Sequence, residues 1–252
     1  MDGKIFATLF LIVVEFTLCD AQVFPDPSPV NVGIILQTYR LQTDTASGTC
    51  FLVERNNREY LVTVAHVFRR SNKHQSTVVV MINYPDQEKL TTYSAILLRQ
   101  AGDSADVAVL KMPISIKKYE THSLDGKVAL GQDVYFLGFP SFNGAAFATI
   151  SPRQKSVLPF IKKGICSAFD FSTKQMFVDG HNNPGFSGGP VVFYDLETKK
   201  SSIACVISGY YYEPKQVYSK VGPIEAVVME NSGIIACPMI HYVKRIIDND
   251  RL

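Results

Sequence analysis

The sequence predicts an all-β protein. Three observations carry that reading. The 252 residues are 46% hydrophobic and only 19% charged, with 16 Gly, 13 Pro and 28 Phe plus Tyr, a composition of short apolar segments and turns. From Gly33 onward, runs rich in Val, Ile, Phe, Tyr and Thr alternate with Gly, Pro, Asn and Asp, the spacing of a sandwich or of barrels. Helical periodicity marks one segment after the leader, near the C-terminus. The near balance of 25 Lys+Arg against 23 Asp+Glu, a net charge of +2, excludes a disordered tail and a strongly basic nucleic-acid-binding protein, and no collagen-like repeat is present.

At the N-terminus, Lys4 precedes an apolar stretch over residues 5–18, and the small residues Cys19 and Ala21 suit cleavage before Gln22. A run this short falls below the ~20 residues of a membrane span and reads as a secretory signal peptide over residues 1–21. Its removal predicts a secreted or extracellular chain, periplasmic if the source is bacterial, with no stable membrane insertion. One Lys and three acids leave with it, so 24 basic and 20 acidic side chains remain, net +4. The basic pairs Arg69-Arg70, Lys117-Lys118, Lys162-Lys163 and Lys199-Lys200 are scattered, as on solvated loops, and imply no polyanion partner.

The predicted strands are residues 33–38, 50–54, 60–64, 77–82, 93–99, 107–112, 134–137, 176–179, 191–194, 203–208 and 224–229. Asn56-Asn57, between the second and third, suits a tight hairpin because Asn tolerates positive φ. The polar stretch 115–132 reads as a connector between two β units. Ile240, Val243, Ile246 and Ile247 recur at helical spacing just after Pro238, predicting an amphipathic helix over 239–250 that covers a barrel surface.

Four cysteines survive signal removal, Cys50, Cys166, Cys205 and Cys237. They allow three pairings in an oxidising compartment, but each sits in apolar sequence, where a free buried thiol is equally at home. No Cys-x-x-Cys and no paired-His spacing point to zinc.

The sharpest local signal is His181-Asn182-Asn183-Pro184-Gly185-Phe186-Ser187-Gly188-Gly189-Pro190, which runs into Val191-Val192-Phe193. Glycines around one serine let the backbone adopt forms closed to other residues, and let N–H groups converge on a point. A nucleophilic hydroxyl needs such donors for the oxyanion formed on attack; a plain Pro-Gly turn is the competing reading. Two further segments favour chemistry. Leu61-Val62-Thr63-Val64-Ala65-His66 sets a histidine just past a predicted strand, and Asp106-Val107-Ala108-Val109-Leu110 sets an aspartate just before another. A serine needs an imidazole to take its proton, and the imidazole needs a carboxylate to hold its tautomer. Asp103 competes with Asp106 for that role, but Asp106 abuts the apolar run. His74, His122 and His241 show no partner pattern.

At these residues the chain resembles the trypsin-like serine proteases, and the Do-like (high-temperature-requirement) type more than the digestive type. Ser47-Gly48-Thr49-Cys50-Phe51-Leu52-Val53 resembles the family's opening strand, Thr63-Val64-Ala65-His66-Val67 its histidine motif, Asp106 to Lys111 its aspartate motif, Gly131 to Pro140 the first strand of its second barrel, Asn183 to Pro190 its serine motif, and Gly233 to Asp248 its last strand and closing helix. The resemblance implies two six-stranded antiparallel β-barrels with a C-terminal helix, divided here as residues 22–122 and 123–252. It implies Ser187 as nucleophile, His66 as base and then acid, Asp106 as orienting carboxylate, and the backbone N–H groups of Gly185 and Ser187 as oxyanion hole. His181 falls at the start of the specificity pocket, though a loop histidine satisfying a backbone carbonyl fits equally. Ser208, Gly209 and Tyr210 fall on the strand that pairs with substrate backbone, where the tyrosines either line subsites or pack on the 213–222 insertion.

Two departures stand out. Digestive relatives carry Asp just before the nucleophile, paired with a newly cut N-terminus; here Phe186 stands there. They also carry a cysteine next to the catalytic histidine as partner for the equivalent of Cys50, and here Val67 follows His66. The expectation is a secreted serine endopeptidase acting on protein or peptide substrates without metal or cofactor. Its alternative is a catalytically silent binding protein on the same fold.

Overall fold

Six strands close the first half of the chain into a barrel, in the order β1 (Thr38–Gln42), β2 (Ser47–Arg55), β3 (Arg58–Thr63), β6 (Ala108–Lys111), β5 (Leu90–Leu98) and β4 (Thr77–Asn83), which returns to β1 through Leu41 opposite Ile82. The computed structural model describes residues 30–44, 46–68, 77–84, 90–98, 105–141, 147–151 and 154–250. The signal peptide 1–21, the pair Arg69-Arg70, His74 and Asp103 lie outside the described residues.

Local chemistry explains the entry to the barrel. Asn56 and Asn57 both take φ 58°, the left-handed pair of a type I′ turn whose twist matches that of the flanking strands. Along β4 burial alternates, as expected of a strand with one face in the core. Residues 33–38, expected as a strand, begin instead as a short helix α1 (Val32–Leu36) before β1 starts. The Asn31 side chain accepts from the Gly33 N–H at 2.7 Å, and the Thr38 hydroxyl donates to the Ile34 carbonyl. These polar closures turn an apolar run into helix, with Ile34 and Ile35 still buried.

The second half forms a seven-stranded antiparallel sheet in the order β13 (Lys200–Val206), β12 (Pro190–Asp195), β7 (Asp133–Gly138), β10 (Phe160–Asp170), β11 (Gln175–Asp179), β15 (Gly222–Pro238) and β14 (Gly209–Ser219); β8 (Phe147–Ser151) and β9 (Gln154–Val157) make a separate hairpin. The expected second closed six-stranded barrel is therefore corrected. Its edges curl together at single points: an isolated bridge joins Cys205 to Met239, Ser208 N–H donates to Ala236 O, and the disulfide Cys205–Cys237 spans a Cα separation of 5.6 Å. Among the described residues no continuous ladder joins β13 to β15. β15 spends its pairing capacity on β11 at one end and on β14 along its length, as far as Ser219 opposite Gly222.

The predicted C-terminal helix is present as α2 (His241–Asn249), burying Tyr242, Val243, Ile246 and Ile247. Each fully buried aliphatic side chain contributes about 1.5–3 kcal/mol. Its end is tied to the barrel: Arg55 Nε and Nη2 donate to Asp248 at 2.7 and 3.0 Å, and Lys111 Nζ lies 2.9 Å from Asp250. One core runs from the barrel through α2 to Leu137, Val192, Ile203 and Val206 of the second sheet, so the two sheets meet across packed side chains. Cys50 and Cys166 are free and buried.

Candidate active site

Strand register brings the first pair together. In the β3–β6 ladder Thr63 lies opposite Ala108. His66, three residues beyond Thr63 in the 3-10 turn Ala65–Phe68, and Asp106, two residues before Ala108, therefore leave the barrel at the same end. His66 Nδ1 lies 2.7 Å from Asp106 Oδ2, and the His66 backbone N–H donates to Asp106 Oδ1 at 2.9 Å. Asp106 accepts a third bond, from the Ser208 hydroxyl at 2.6 Å. Burial alone would raise its pKa, but the hydrogen bonds from His66 and Ser208 and the attraction of His66 outweigh it and leave the carboxyl below its ordinary value. Ionised, Asp106 only accepts, so Nδ1 carries the proton and Nε2 is left as the basic nitrogen.

Ser187 comes from the loop between β11 and β12. Its Oγ donates to the Ser208 carbonyl at 3.3 Å. Ser208 thus joins the halves, its carbonyl to Ser187 and its hydroxyl to Asp106. Among the described residues no hydrogen bond joins Ser187 Oγ to His66.

The loop is held almost residue by residue. The carbonyls of His181, Asn182, Pro184 and Gly185 accept from Lys162 Nζ, Asn231 Nδ2, Ser141 N–H and the Thr49 hydroxyl, and that of Ser187 accepts from Thr49 N–H. Phe186, Gly188 and Gly189 donate their N–H groups to Asn183, Ile207 and Phe186 carbonyls. The N–H groups of Gly185 and Ser187 donate to nothing among the described residues, as two donors reserved for an incoming oxyanion would. Gly188, at φ 89°, is required on two counts: a Cβ there would sit 2.0 Å from Thr49 O and in a backbone region closed to side chains. The Phe186 ring does not crowd Ser187 from the surface, since it is fully buried edge-on to Phe136 with centroids 5.9 Å apart.

The remaining candidates are placed as follows. His181 is exposed, and among the described residues its ring makes no hydrogen bond; only its carbonyl is used. Gly209 and Tyr210 pair with Ala236 and Ile235 at the root of the β14–β15 ribbon, where the Tyr212 hydroxyl donates to that of Tyr210 at 3.2 Å. Tyr211 turns the other way, towards Phe177. Sequence reasoning missed three contributors: Thr49 as a clamp on the serine loop, Lys162 beneath it, and the Ser208 hydroxyl on Asp106. The only hint was Thr49's place in a glycine-flanked strand. Cys50 and Cys166 cannot supply a nucleophile, because burial pushes the Cys50 thiol far above the ordinary range and that of Cys166 up to about 11. Among the described residues no cluster of His, Cys, Asp and Glu could hold a metal ion, and no helix is long and apolar enough to cross a membrane.

Over residues 48–197 the chain matches the family described as trypsin-like peptidase domain. No curated protein sequence matches it. Among solved structures it is similar to the serine endoprotease from Yersinia pestis, with a TM-score of 0.56 at 14% identity over 86% of this chain and 63% of that one. It is also similar to an HtrA-type protease with tripeptide, with a TM-score of 0.54 at 18% identity over 86% of this chain and 60% of that one. The chain thus spans less than two thirds of either structure, and at these identities the likeness is one of fold.

Proposed function

Because this chain belongs to the trypsin-like peptidase domain family, we propose that it is a serine endopeptidase, exported by its signal peptide, with Ser187, His66 and Asp106 as the triad. The observation that carries the reading is the join at Ser208, which links the serine loop to a His66–Asp106 pair already closed at 2.7 Å, beside two unused N–H groups. Ser187 Oγ turns from the Ser208 carbonyl to a substrate carbonyl carbon and passes its proton to His66 Nε2. Asp106 stays ionised and stabilises the imidazolium. The oxyanion takes the N–H groups of Gly185 and Ser187. Collapse of the tetrahedral species breaks the C–N bond, and His66 gives its proton to the departing amine. Water, deprotonated by the same nitrogen, then hydrolyses the acyl-enzyme and restores Ser187.

Cleavage after Lys or Arg is disfavoured, because the residue that the family resemblance puts at the start of the specificity pocket, His181, is not a carboxylate. Profiling of cut sites in a peptide library checks this, and a dominant Lys/Arg preference refutes it. The catalytic reading is tested by fluorophosphonate labelling of the mature chain, with Ser187→Ala as control. Labelling confined to the unmutated chain is expected; equal labelling of both, or of neither, sinks the assignment. A silent peptide-binding protein on the same fold, the rival reading, draws on Ser187 Oγ resting against Ser208 rather than His66, and it predicts labelling of neither.

A further inference from the structure

Lys162 and Lys163 are neighbours with opposite roles. The β10 pleat sends them to opposite sides. Lys163 meets Asp133 at 2.8 Å on the exposed face of β10, a strand where the basic pairs were expected on loops. Lys162 turns inward, half-buried, and among the described residues meets no carboxylate. Its ammonium donates to the His181 carbonyl and to Asn183 Oδ1, both at 2.6 Å, and lies 5.4 Å from the centroid of the Phe186 ring. An ammonium has three N–H groups and one direction of approach for each. All three partners lie on residues 181–186, the segment that ends one residue before Ser187.

The ring it faces is itself confined. A Cβ on Gly138 would come within 2.5 Å of Phe186 Cδ1, so β7 needs glycine there to make room for the ring. Phe136 closes its other side, edge-on. Burial removes part of the water around Lys162 and lowers its pKa, and in place of a carboxylate two oxygen acceptors and a ring stand in for that water. Asn183 is the pivot, because its side chain accepts from Lys162 while its carbonyl accepts the Phe186 N–H at 3.1 Å. Between them lies Gly185, at φ 99°, whose N–H donates to nothing among the described residues.

We infer that Lys162 is a positioning residue, whose ammonium holds the 181–186 loop in the form that presents the Gly185 N–H to the oxyanion. The inference rests on the endopeptidase reading for its catalytic consequence, but its structural part stands alone. Lys162→Met keeps length and removes the three contacts, and Lys162→Arg keeps the charge. Loss of one oxyanion donor costs about 10²–10³ in rate, and a loop that visits its correct form only part of the time loses less. Lys162→Met is expected to lower kcat by about 10–10²-fold with KM within about twofold, and to slow fluorophosphonate labelling by a similar factor, with Lys162→Arg recovering most of the loss. Hydrogen exchange across 181–189, followed by mass spectrometry, should be faster in Lys162→Met than in the unmutated chain. Unchanged exchange overturns the inference whether or not the protein is an enzyme, and so does a kcat within twofold of the original. A KM rise with kcat intact, or failure of Lys162→Arg to recover activity, also overturns it. Should Lys162→Met not fold, Asn183→Ala removes one acceptor and must give the same split between kcat and KM. An unmutated chain that takes no label defeats the endopeptidase reading instead, and exchange then decides the inference by itself.

Discussion

Thr49→Val is the substitution whose cost follows most directly from the geometry. The side chains are nearly the same size, so the change removes a hydroxyl without opening a cavity. That hydroxyl accepts from the Phe139 N–H at 3.0 Å, a buried bond, and donates to the Gly185 carbonyl at 2.7 Å. Thr49 itself is fully buried, so water cannot take its place beside Phe139. A buried group left without its partner costs about 1–3 kcal/mol, and less for the half-exposed Gly185 carbonyl, for a sum of about 2–4 kcal/mol. In a domain of this size each kcal/mol lowers Tm by about 2–4 °C, so calorimetry should show a drop of about 4–16 °C. The Gly185 peptide would also lose its clamp, and kcat should fall by about tenfold or more. Thr49→Ser, which keeps the hydroxyl, should remain close to the unmutated chain in both measurements. A Thr49→Val protein with unchanged Tm and kcat would refute the claim that the first barrel holds the serine loop.

Three further outcomes are expected. Because the folded-state pKa of Asp106 is depressed, its ionisation adds stability that is complete above the ordinary carboxylate pKa of about 4 and is lost as pH falls through the lower folded value. Ser208→Ala removes one of the bonds responsible, so the unmutated chain's advantage in urea melts should be full at pH 7 and narrow below about pH 4, and a gap constant with pH refutes this. Ile247→Ala empties a fully buried position of α2 against the barrel and should cost about 2–5 kcal/mol in urea unfolding, with a loss under 1 kcal/mol showing that the helix is dispensable cover. Cys50 and Cys166, buried with raised pKa values, should resist iodoacetamide at pH 8 until denaturant is added, as mass spectrometry can establish; rapid alkylation of the native chain would contradict the packing.

What was legible in the residues was local or periodic. The Asn56-Asn57 turn needs only two residues able to take positive φ, and α2 announces itself through one apolar stripe. His66 and Asp106 were readable because each sits at the end of a strand-like run, and adjacent strands bring their ends together once the register is set. Tyr210 and Tyr212 share a face while Tyr211 turns to Phe177, a division of the tyrosines that a run of three identical residues does not show. The basic pair at Lys162 read as solvated surface, because nothing in a run of neighbours says which lysine the pleat turns inward.

By itself the sequence determined the β class, the order of His66, Asp106 and Ser187, and the glycines that a serine loop of this form requires. Only the tertiary structure decided that the second sheet stays open, that Cys205 pairs with Cys237 across 32 residues, and that Thr49 clamps a carbonyl 136 residues away. The physical reason is range. Propensity, capping and periodicity act within a few residues, whereas a hydroxyl in the barrel meets a carbonyl in a loop of the second half only after both halves have packed across a common core.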